Sequence, residues 1–147
     1  QFNKTSGVDF NVMITKLVQD YEDFIEFKKI QVNIIEKGYF IADFNQDLAD
    51  ILLSNLLKNA VKYNNEAGIL NIMIENDRLT FQNSGTSVAL DKARIFNRFY
   101  KQGSDHTSTG LGLSIVQTII KQYPGWEISY EFEDQMHYFI LTKNAHQ

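Results

Sequence analysis

A polar stripe within an apolar stretch is the first feature of this sequence that could do chemistry. It consists of Asn55, Asn59 and Lys62, in the run Asn55-Leu-Leu-Lys-Asn59-Ala-Val-Lys62-Tyr63. At about 100° per residue in a helix, these three side chains fall within about 60° of arc, opposite the leucines. Asparagine is a mediocre helix former, so two in mid-helix indicate a use. An amide oxygen can ligate a hard metal ion and a lysine can approach a phosphate, although an ordinary solvated face looks the same.

Two glycine-containing motifs follow this stripe. In Ser108-Thr-Gly110-Leu-Gly112-Leu-Ser114, two glycines directly precede a predicted apolar helix. Glycines at such a junction let backbone N–H groups approach an anion, and the positive end of the helix favours a phosphate. A loop that merely turns the chain is the alternative. The second motif, Asn83-Ser-Gly85, ends a predicted strand and can place a side chain against a base, but it is equally typical of a turn.

Length, composition and charge limit the function classes. A chain of 147 residues suits one domain and leaves no room for a second. A hydrophobic share of 44% with 22% charged residues is typical of a globular protein, and the net charge of −4 argues against broad binding of nucleic acid or anionic membrane. The absence of cysteine excludes disulfides, thiolate metal sites and cysteine catalysis. No apolar run approaches the roughly 18–20 residues of a membrane span, and the first residues do not resemble a signal peptide.

The hydrophobic pattern predicts the elements that must position these motifs. Apolar residues at helical spacing predict helices over Phe10–Lys28 (with Asp9 as N-cap), Asn45–Tyr63, Asp91–Phe99 and Leu111–Tyr123. Alternating or β-rich runs predict three hairpins, namely Gln31–Glu36 with Tyr39–Ala42, Ile69–Glu75 with Leu79–Asn83, and Trp126–Glu133 with Tyr138–Thr142. The order predicts an α+β, two-layer α/β sandwich whose mostly antiparallel sheet of about six strands carries helices on one face. The polar run Lys101–Thr109 is a candidate mobile surface element.

In combination and in this order, the motifs resemble the catalytic ATP-binding domain of bacterial sensor histidine kinases, in the superfamily shared with gyrase and Hsp90. The run from Asn55 to Asn64 resembles the family's asparagine box, Ile95 to Lys101 its phenylalanine box, and Gly110 to Val116 its second glycine box. The resemblance covers roughly Val8 to Thr142 and implies the Bergerat ATP-binding fold. We therefore expect residues 8–147 to form the catalytic ATP-binding domain, and residues 1–7 to be the end of an upstream dimerisation helix or a linker.

The resemblance also implies roles for individual residues, with ATP and Mg²⁺ as cofactors. Asn59 is expected to ligate the magnesium ion, Asn55 to support the metal or its waters, and Lys62 to contact phosphate; these are the expected catalytic residues. A lid from about Phe96 to Thr109 is expected to cover the nucleotide. The expected nucleotide-binding set is Asn55, Asn59, Lys62, Tyr63 in the pocket wall, Asn83 and Gly85 at the adenine, Arg98 and Lys101 near the γ-phosphate, and Thr109, Gly110, Leu111, Gly112 and Leu113 at the phosphates.

The first glycine box departs from the family pattern. It usually reads Asp-x-Gly-x-Gly, whereas Asn83-Ser-Gly85-Thr-Ser87 has asparagine for the aspartate and serine for the second glycine. Asn83 still offers a carbonyl oxygen to the adenine amino group, but without the strength of a charge-assisted bond. Ser108 also stands where the second glycine box usually begins with glycine. A non-catalytic interaction module on the same fold, with weakened or lost nucleotide binding, is therefore the alternative to a kinase.

The position of Asn55 separates phosphoryl transfer from hydrolysis. Superfamily members that activate water or a hydroxyl carry a glutamate there, and asparagine has no usable basicity. An imidazole nitrogen needs less help, so the sequence favours transfer to histidine through positioning and Mg²⁺ charge neutralisation. None of His106, His137 and His146 stands on a predicted helix beside an acidic residue as the family's phosphoacceptor does. We therefore expect the acceptor on an upstream dimerisation domain.

The resemblance implies protein partners and a location. The expected partners are the upstream dimerisation and histidine phosphotransfer domain and a response regulator receiver domain, with no nucleic acid. Because family dimerisation lies in the upstream helices, we expect this chain to be monomeric and its parent a homodimer. The resemblance places the domain in the cytoplasm, as part of a membrane-bound sensor.

Overall fold

A computed structural model describes residues 5–100 and 111–144, which form a sheet layer and a helix layer. The elements in chain order are β1 (Ser6–Asp9), α1 (Phe10–Asp20), α2 (Glu22–Phe27), β2 (Gln31–Glu36), β3 (Ile41–Phe44), α3 (Gln46–Lys62), β4 (Ile69–Ile74), β5 (Arg78–Asn83), α4 (Gly112–Ile120), β6 (Glu127–Glu133) and β7 (Met136–Thr142). Within these described ranges, no helix is both long enough and apolar enough to cross a membrane.

The main sheet has five strands in the order β2-β4-β5-β7-β6, and β1 pairs separately with β3. All neighbouring strands are antiparallel except β2 and β4, which are parallel. One sheet face buries apolar side chains such as Ile72, Phe81 and Phe139, which occupy paired positions on β4, β5 and β7. The apolar side of α3 packs with it in one core. The predicted two-layer α+β sandwich is therefore confirmed, as are the β4–β5 and β6–β7 hairpins.

The predicted hairpin of Gln31–Glu36 with Tyr39–Ala42 is wrong. Strand β2 pairs in parallel with β4, and β3 belongs to the small sheet with β1. The chain leaves the main sheet after Lys37, whose N–H donates to the Ile74 carbonyl at 2.8 Å. Gly38 then packs so tightly on Asn76 that an added methyl group would lie 2.4 Å from Oδ1. Asn76 Oδ1 also accepts a hydrogen bond from Tyr39 N at 2.9 Å, and from here the chain continues into the small sheet.

Two of the predicted helices also differ from the structure. The helix predicted over Phe10–Lys28 is broken at Tyr21 into α1 and α2, although Asp9 caps α1 as predicted by accepting a hydrogen bond from Val12 N at 3.2 Å. The segment Asp91–Phe99 forms successive turns and no regular helix. At its end Phe99 adopts a φ of 65°, which a continuing helix cannot contain.

The start of the chain contributes a strand. Ser6 and Gly7 lie in β1, opposite Phe44 and Asp43 of β3. Ser6 and Gly7 are therefore part of the small sheet, and Thr5 before them lies outside regular secondary structure.

Both ends of α3, the helix that carries the polar stripe, are held by side chains. At its start the Asn45 side chain accepts a hydrogen bond from Leu48 N at 2.9 Å. At its end the Lys28 ammonium donates to the carbonyls of Val61, Lys62 and Asn64 at 3.1, 2.7 and 2.9 Å. A cation at this point satisfies carbonyls that lack partners within the helix and favours the negative end of its dipole.

We expect Lys28→Met to lower the free energy of unfolding by about 1–2 kcal/mol, because the last carbonyls of α3 lose a charged donor. Urea denaturation at neutral pH measures the change. The matched control is Lys29→Met, since the neighbouring ammonium makes a solvent-exposed pair with Glu66 at 4.0 Å. That control should stay within about 0.5 kcal/mol of the wild type. Equal effects of the two variants would contradict a specific role for Lys28.

Candidate functional site

The polar stripe lies on the side of α3 that faces away from the core. Asn55 and Asn59 are partly buried and Lys62 is exposed, whereas Leu56 and Leu57 are buried. The Asn55 Nδ2 donates to the Ile51 carbonyl at 2.8 Å, which fixes its side chain against its own helix. The Lys62 ammonium lies 5.8 Å from the ring centre of Tyr63. The helix therefore presents amide groups and an ammonium on one surface, as the sequence predicts.

The start of α4 lies against this stripe. A methyl group added at Gly112 would lie 3.1 Å from Asn55 Oδ1, so the two motifs are in close contact. Leu111 is the N-cap residue and makes no side-chain capping bond. The first backbone N–H groups of a helix lack acceptors within the helix. The apolar Leu111 side chain does not supply one for the N–H groups at the start of α4. The helix is anchored by Leu113, which is buried. This is a suitable position for an anion beside an amide-lined helix.

We expect Gly112→Ala to weaken nucleotide binding about tenfold without a comparable loss of stability. Alanine is a better helix former than glycine, but its methyl group would press on Asn55 Oδ1 and narrow the approach to the N–H groups. Gly7→Ala is the control, because no atom of the described residues outside its own neighbours lies within 4 Å of a methyl group at that position. Binding titration and thermal unfolding of both variants check this expectation. It fails if Gly112→Ala binds nucleotide as tightly as Gly7→Ala.

A buried acceptor stands at the end of β5. Asn83 is only 3% exposed, and its Nδ2 donates to the Ser84 carbonyl at 2.7 Å. Its Oδ1 is the buried side-chain oxygen or nitrogen that has no hydrogen-bond partner within residues 5–100 and 111–144. A buried carbonyl oxygen without a donor costs free energy, so the position is suited to a ligand that brings an N–H group.

The turn after Asn83 contacts the end of α3. Ser84 Oγ donates to Asn64 Oδ1 at 2.5 Å, and a methyl group at Gly85 would lie 3.0 Å from the Tyr63 carbonyl. Sequence reasoning missed the Asn64–Ser84 bond, because nothing in the pattern pairs two residues so far apart in the chain. Helix α3 thus contacts α4 at Asn55 and the β5 turn near Tyr63. These points are about 12 Å apart along the helix axis at about 1.5 Å per residue.

Other predicted site residues are not joined to this arrangement by the structure. The guanidinium carbon of Arg98 lies 5.1 Å from the ring centre of Phe99, and both side chains are exposed. Lys101, Thr109 and Gly110 lie outside the described residues, with most of the expected lid. His106 and His146 also lie there, whereas His137 is buried against Tyr130. The roles expected for Arg98, Lys101, Thr109 and Gly110 stay predictions, as do those of the other site residues.

Fold and site together define a class, the nucleotide-binding two-layer α/β sandwiches. Family comparison makes the assignment specific, because the model of the histidine kinase-, DNA gyrase B- and HSP90-like ATPases matches residues 45–145. The chain therefore belongs to this family of ATP-binding domains.

Relatives and solved structures agree with this family. The heme sensor protein HssS of Staphylococcus aureus strain Newman is 31% identical over 146 residues, covering 82% of this chain and 32% of that protein. The HssS protein of strain JH9 is 32% identical over 127 residues, covering 80% of this chain and 27% of the relative. This chain thus spans about a third of the length of the curated relatives it matches.

Among solved structures, the nucleotide-free catalytic domain of histidine kinase ThkA superposes with a TM-score of 0.83 at 25% identity, covering 94% of this chain and 93% of that chain. ThkA in complex with the response regulator TrrA gives a TM-score of 0.78 at 24% identity, with coverages of 93% and 40%. Full-length ShkA in complex with AMPPNP gives 0.76 at 23%, with coverages of 96% and 31%. The fold is that of histidine kinase catalytic domains.

Proposed function

We propose that this chain is the catalytic ATP-binding domain of a sensor histidine kinase, with residues 8–147 as its main part and Ser6 and Gly7 as the start of its first strand. It binds Mg-ATP and supports transfer of the γ-phosphoryl group to a histidine on a separate dimerisation domain. The family match and the likeness to the ThkA catalytic domain support this proposal.

The observation that carries the proposal is the buried Oδ1 of Asn83, which has no donor within the described ranges. The adenine 6-amino group supplies such a donor, so the base would sit at the β5 turn. Tyr63 and Gly85, whose backbones approach there, would flank it. The triphosphate would extend along α3 past Asn59 toward the start of α4. Lys62 supplies a positive charge there, and the N–H groups after Leu111 supply donors.

The donor set also fits magnesium held mainly by the nucleotide. Within residues 5–100 and 111–144, no cluster of three or more His, Cys, Asp or Glu side chains could hold a metal ion. Mg²⁺ in nucleotide sites usually keeps waters and phosphate oxygens and takes one or two protein ligands. We assign Asn59 as that ligand, with Asn55 beside it. Bound Mg²⁺ would neutralise charge on the phosphates.

The proposed reaction is transfer and not hydrolysis. The Asn55 side chain donates a hydrogen bond to the Ile51 carbonyl of its own helix. Its amide has no basicity with which to take a proton from water. Transfer breaks the bond between the γ-phosphorus and the ADP oxygen and forms a bond to an imidazole nitrogen. The protein contributes positioning, through α3 and the backbone N–H groups of α4.

We place two protein partners around this domain. The acceptor histidine belongs to an upstream dimerisation domain, which makes the parent a homodimer and this chain alone a monomer. The second partner is a response regulator, and the complex of ThkA with TrrA supports that choice. The parent is a membrane-bound sensor with this domain in the cytoplasm.

Calorimetric titration with AMPPNP, in the presence and absence of Mg²⁺, tests the proposal. We expect Mg²⁺-dependent binding with one nucleotide per chain. Absence of binding at millimolar nucleotide would contradict the proposal and favour the alternative, a non-catalytic interaction module in which the altered first glycine box has lost the nucleotide.

A further inference from the structure

A buried hydrogen-bonded pair, Tyr130 on β6 and His137 on β7, lies beneath the proposed base site. The Tyr130 hydroxyl is 2.7 Å from His137 Nδ1, and the two residues are 2% and 3% exposed. Each also contacts the segment that follows the β5 turn. Tyr130 Oη accepts a hydrogen bond from Leu90 N at 2.9 Å, and His137 Nε2 lies 2.8 Å from the Thr86 carbonyl. The pair thus holds both ends of the segment 86–90.

The proton positions follow from these partners. The Thr86 carbonyl can only accept, so His137 Nε2 carries the hydrogen and Nδ1 is the acceptor in the neutral ring. The Tyr130 hydroxyl then donates to Nδ1 while it accepts from Leu90 N. Burial raises the pKa of Tyr130, which keeps the hydroxyl protonated as this arrangement requires. Each of the two side chains therefore needs the other to satisfy its polar atoms.

This pair lies directly beside the base acceptor. His137 is the register partner of Asn83 across β5 and β7. A methyl group at Gly85 would lie 3.2 Å from His137 Cδ2, so the turn rests on the imidazole ring. This turn also orients the Asn83 side chain, because the Ser84 carbonyl accepts a hydrogen bond from Asn83 Nδ2 at 2.7 Å. The opposite orientation of the amide would place Asn83 Oδ1 against the Ser84 carbonyl oxygen. Oδ1 is therefore the group left to meet a ligand.

We propose that Tyr130 and His137 are positioning residues for base selectivity, holding the Asn83–Gly85 turn so that the Asn83 carbonyl selects a purine with a 6-amino group. This inference rests on the proposed function and goes beyond it, because neither side chain contacts the nucleotide. A pair that serves stability alone would affect all nucleotides equally. A pair that positions the acceptor affects only nucleotides that carry the amino group.

The test compares equilibrium binding of ATP and purine riboside triphosphate, which lacks the 6-amino group, both with Mg²⁺. We expect wild type to prefer ATP about tenfold, the value of one well-made hydrogen bond. In Tyr130→Phe and in His137→Phe the preference should fall below about threefold, because ATP binding weakens while binding of the analogue is unchanged. His137→Gln, which keeps an N–H donor for Thr86, should retain more of the preference than His137→Phe.

Phe139→Leu is the matched control. Phe139 is buried two residues from His137 on the same face of β7, and its side chain has no polar group. It should lower the unfolding temperature and leave the preference intact. Thermal unfolding of every variant identifies those that fold. If His137→Phe does not fold, the test is made with Tyr130→Phe, which removes only one oxygen atom.

The failures of the two proposals are distinguishable. An unchanged preference for ATP in folded Tyr130→Phe and His137→Phe overturns this inference alone. A wild type that binds both nucleotides equally overturns it together with the adenine contact assigned to Asn83, while nucleotide binding by the domain stands. Equal losses for the two nucleotides assign the pair to stability and also overturn it. A wild type that binds neither nucleotide overturns the proposed function itself.

Discussion

Asn59→Ala is expected to remove the Mg²⁺-dependent part of ATP binding, weakening the affinity for Mg-ATP on the order of 100-fold. The amide oxygen of Asn59 is the protein ligand that we assign to the metal, on the solvent side of α3 between the two glycine motifs. Alanine cannot replace that oxygen, and the described residues hold no cluster of acidic or histidine side chains to take its place. Calorimetric titration with AMPPNP at several Mg²⁺ concentrations measures the loss.

Two comparisons make this expectation specific to the metal. Lys58→Ala changes the preceding exposed residue, whose ammonium lies 6.0 Å from the Tyr21 ring, and should bind Mg-ATP like the wild type. Without Mg²⁺, Asn59→Ala and wild type should bind nucleotide with equal, low affinity. If Asn59→Ala kept the Mg²⁺ dependence of the wild type, the metal assignment would be wrong even where nucleotide binding itself persists.

The second prediction with a large expected effect concerns autophosphorylation of this chain, which we expect to be absent. We expect this chain alone, incubated with radiolabelled Mg-ATP, to acquire no phosphate above background. His137 is 3% exposed and both of its ring nitrogens already have partners in Tyr130 and Thr86, so no acceptor nitrogen is open to a γ-phosphate. The other two histidines, His106 and His146, lie in polar sequence outside the described residues.

Addition of the histidine-bearing dimerisation domain of the parent should then produce label on that domain. The reaction should require Mg²⁺ and should be lost with Asn59→Ala. Acid treatment identifies the product, because phosphohistidine is acid-labile whereas phosphoserine is stable. Label on this chain in the absence of the second domain would contradict the proposed division of roles, and variants of His106 and His146 would then locate it.

The sequence by itself determined the elements whose pattern is local. The stripe of Asn55, Asn59 and Lys62 follows from helical periodicity. The helix predicted over Asn45–Tyr63 is α3 (Gln46–Lys62), with the two predicted end residues as its caps. The hairpin β4–β5 follows from alternation over residues 69–75 before a short turn, and β6–β7 from strict alternation over residues 126–133 with a β-rich returning strand. Such patterns reflect contacts between residues close in the chain, so they can be detected without the fold. The departure at Asn83 was also visible in the sequence.

Only the tertiary structure decided where these elements meet. The parallel pairing of β2 with β4 depends on a crossover that contains β3 and α3. The Lys28 bonds to the end of α3 join residues 33 to 36 positions apart, and His137 reaches Thr86 across 51. Sequence periodicity does not predict contacts at such separations along the chain, because a polar side chain forms hydrogen bonds with whichever partner the packing brings near it. The sequence therefore supplied the chemical groups of the site, and long-range packing set which of them touch.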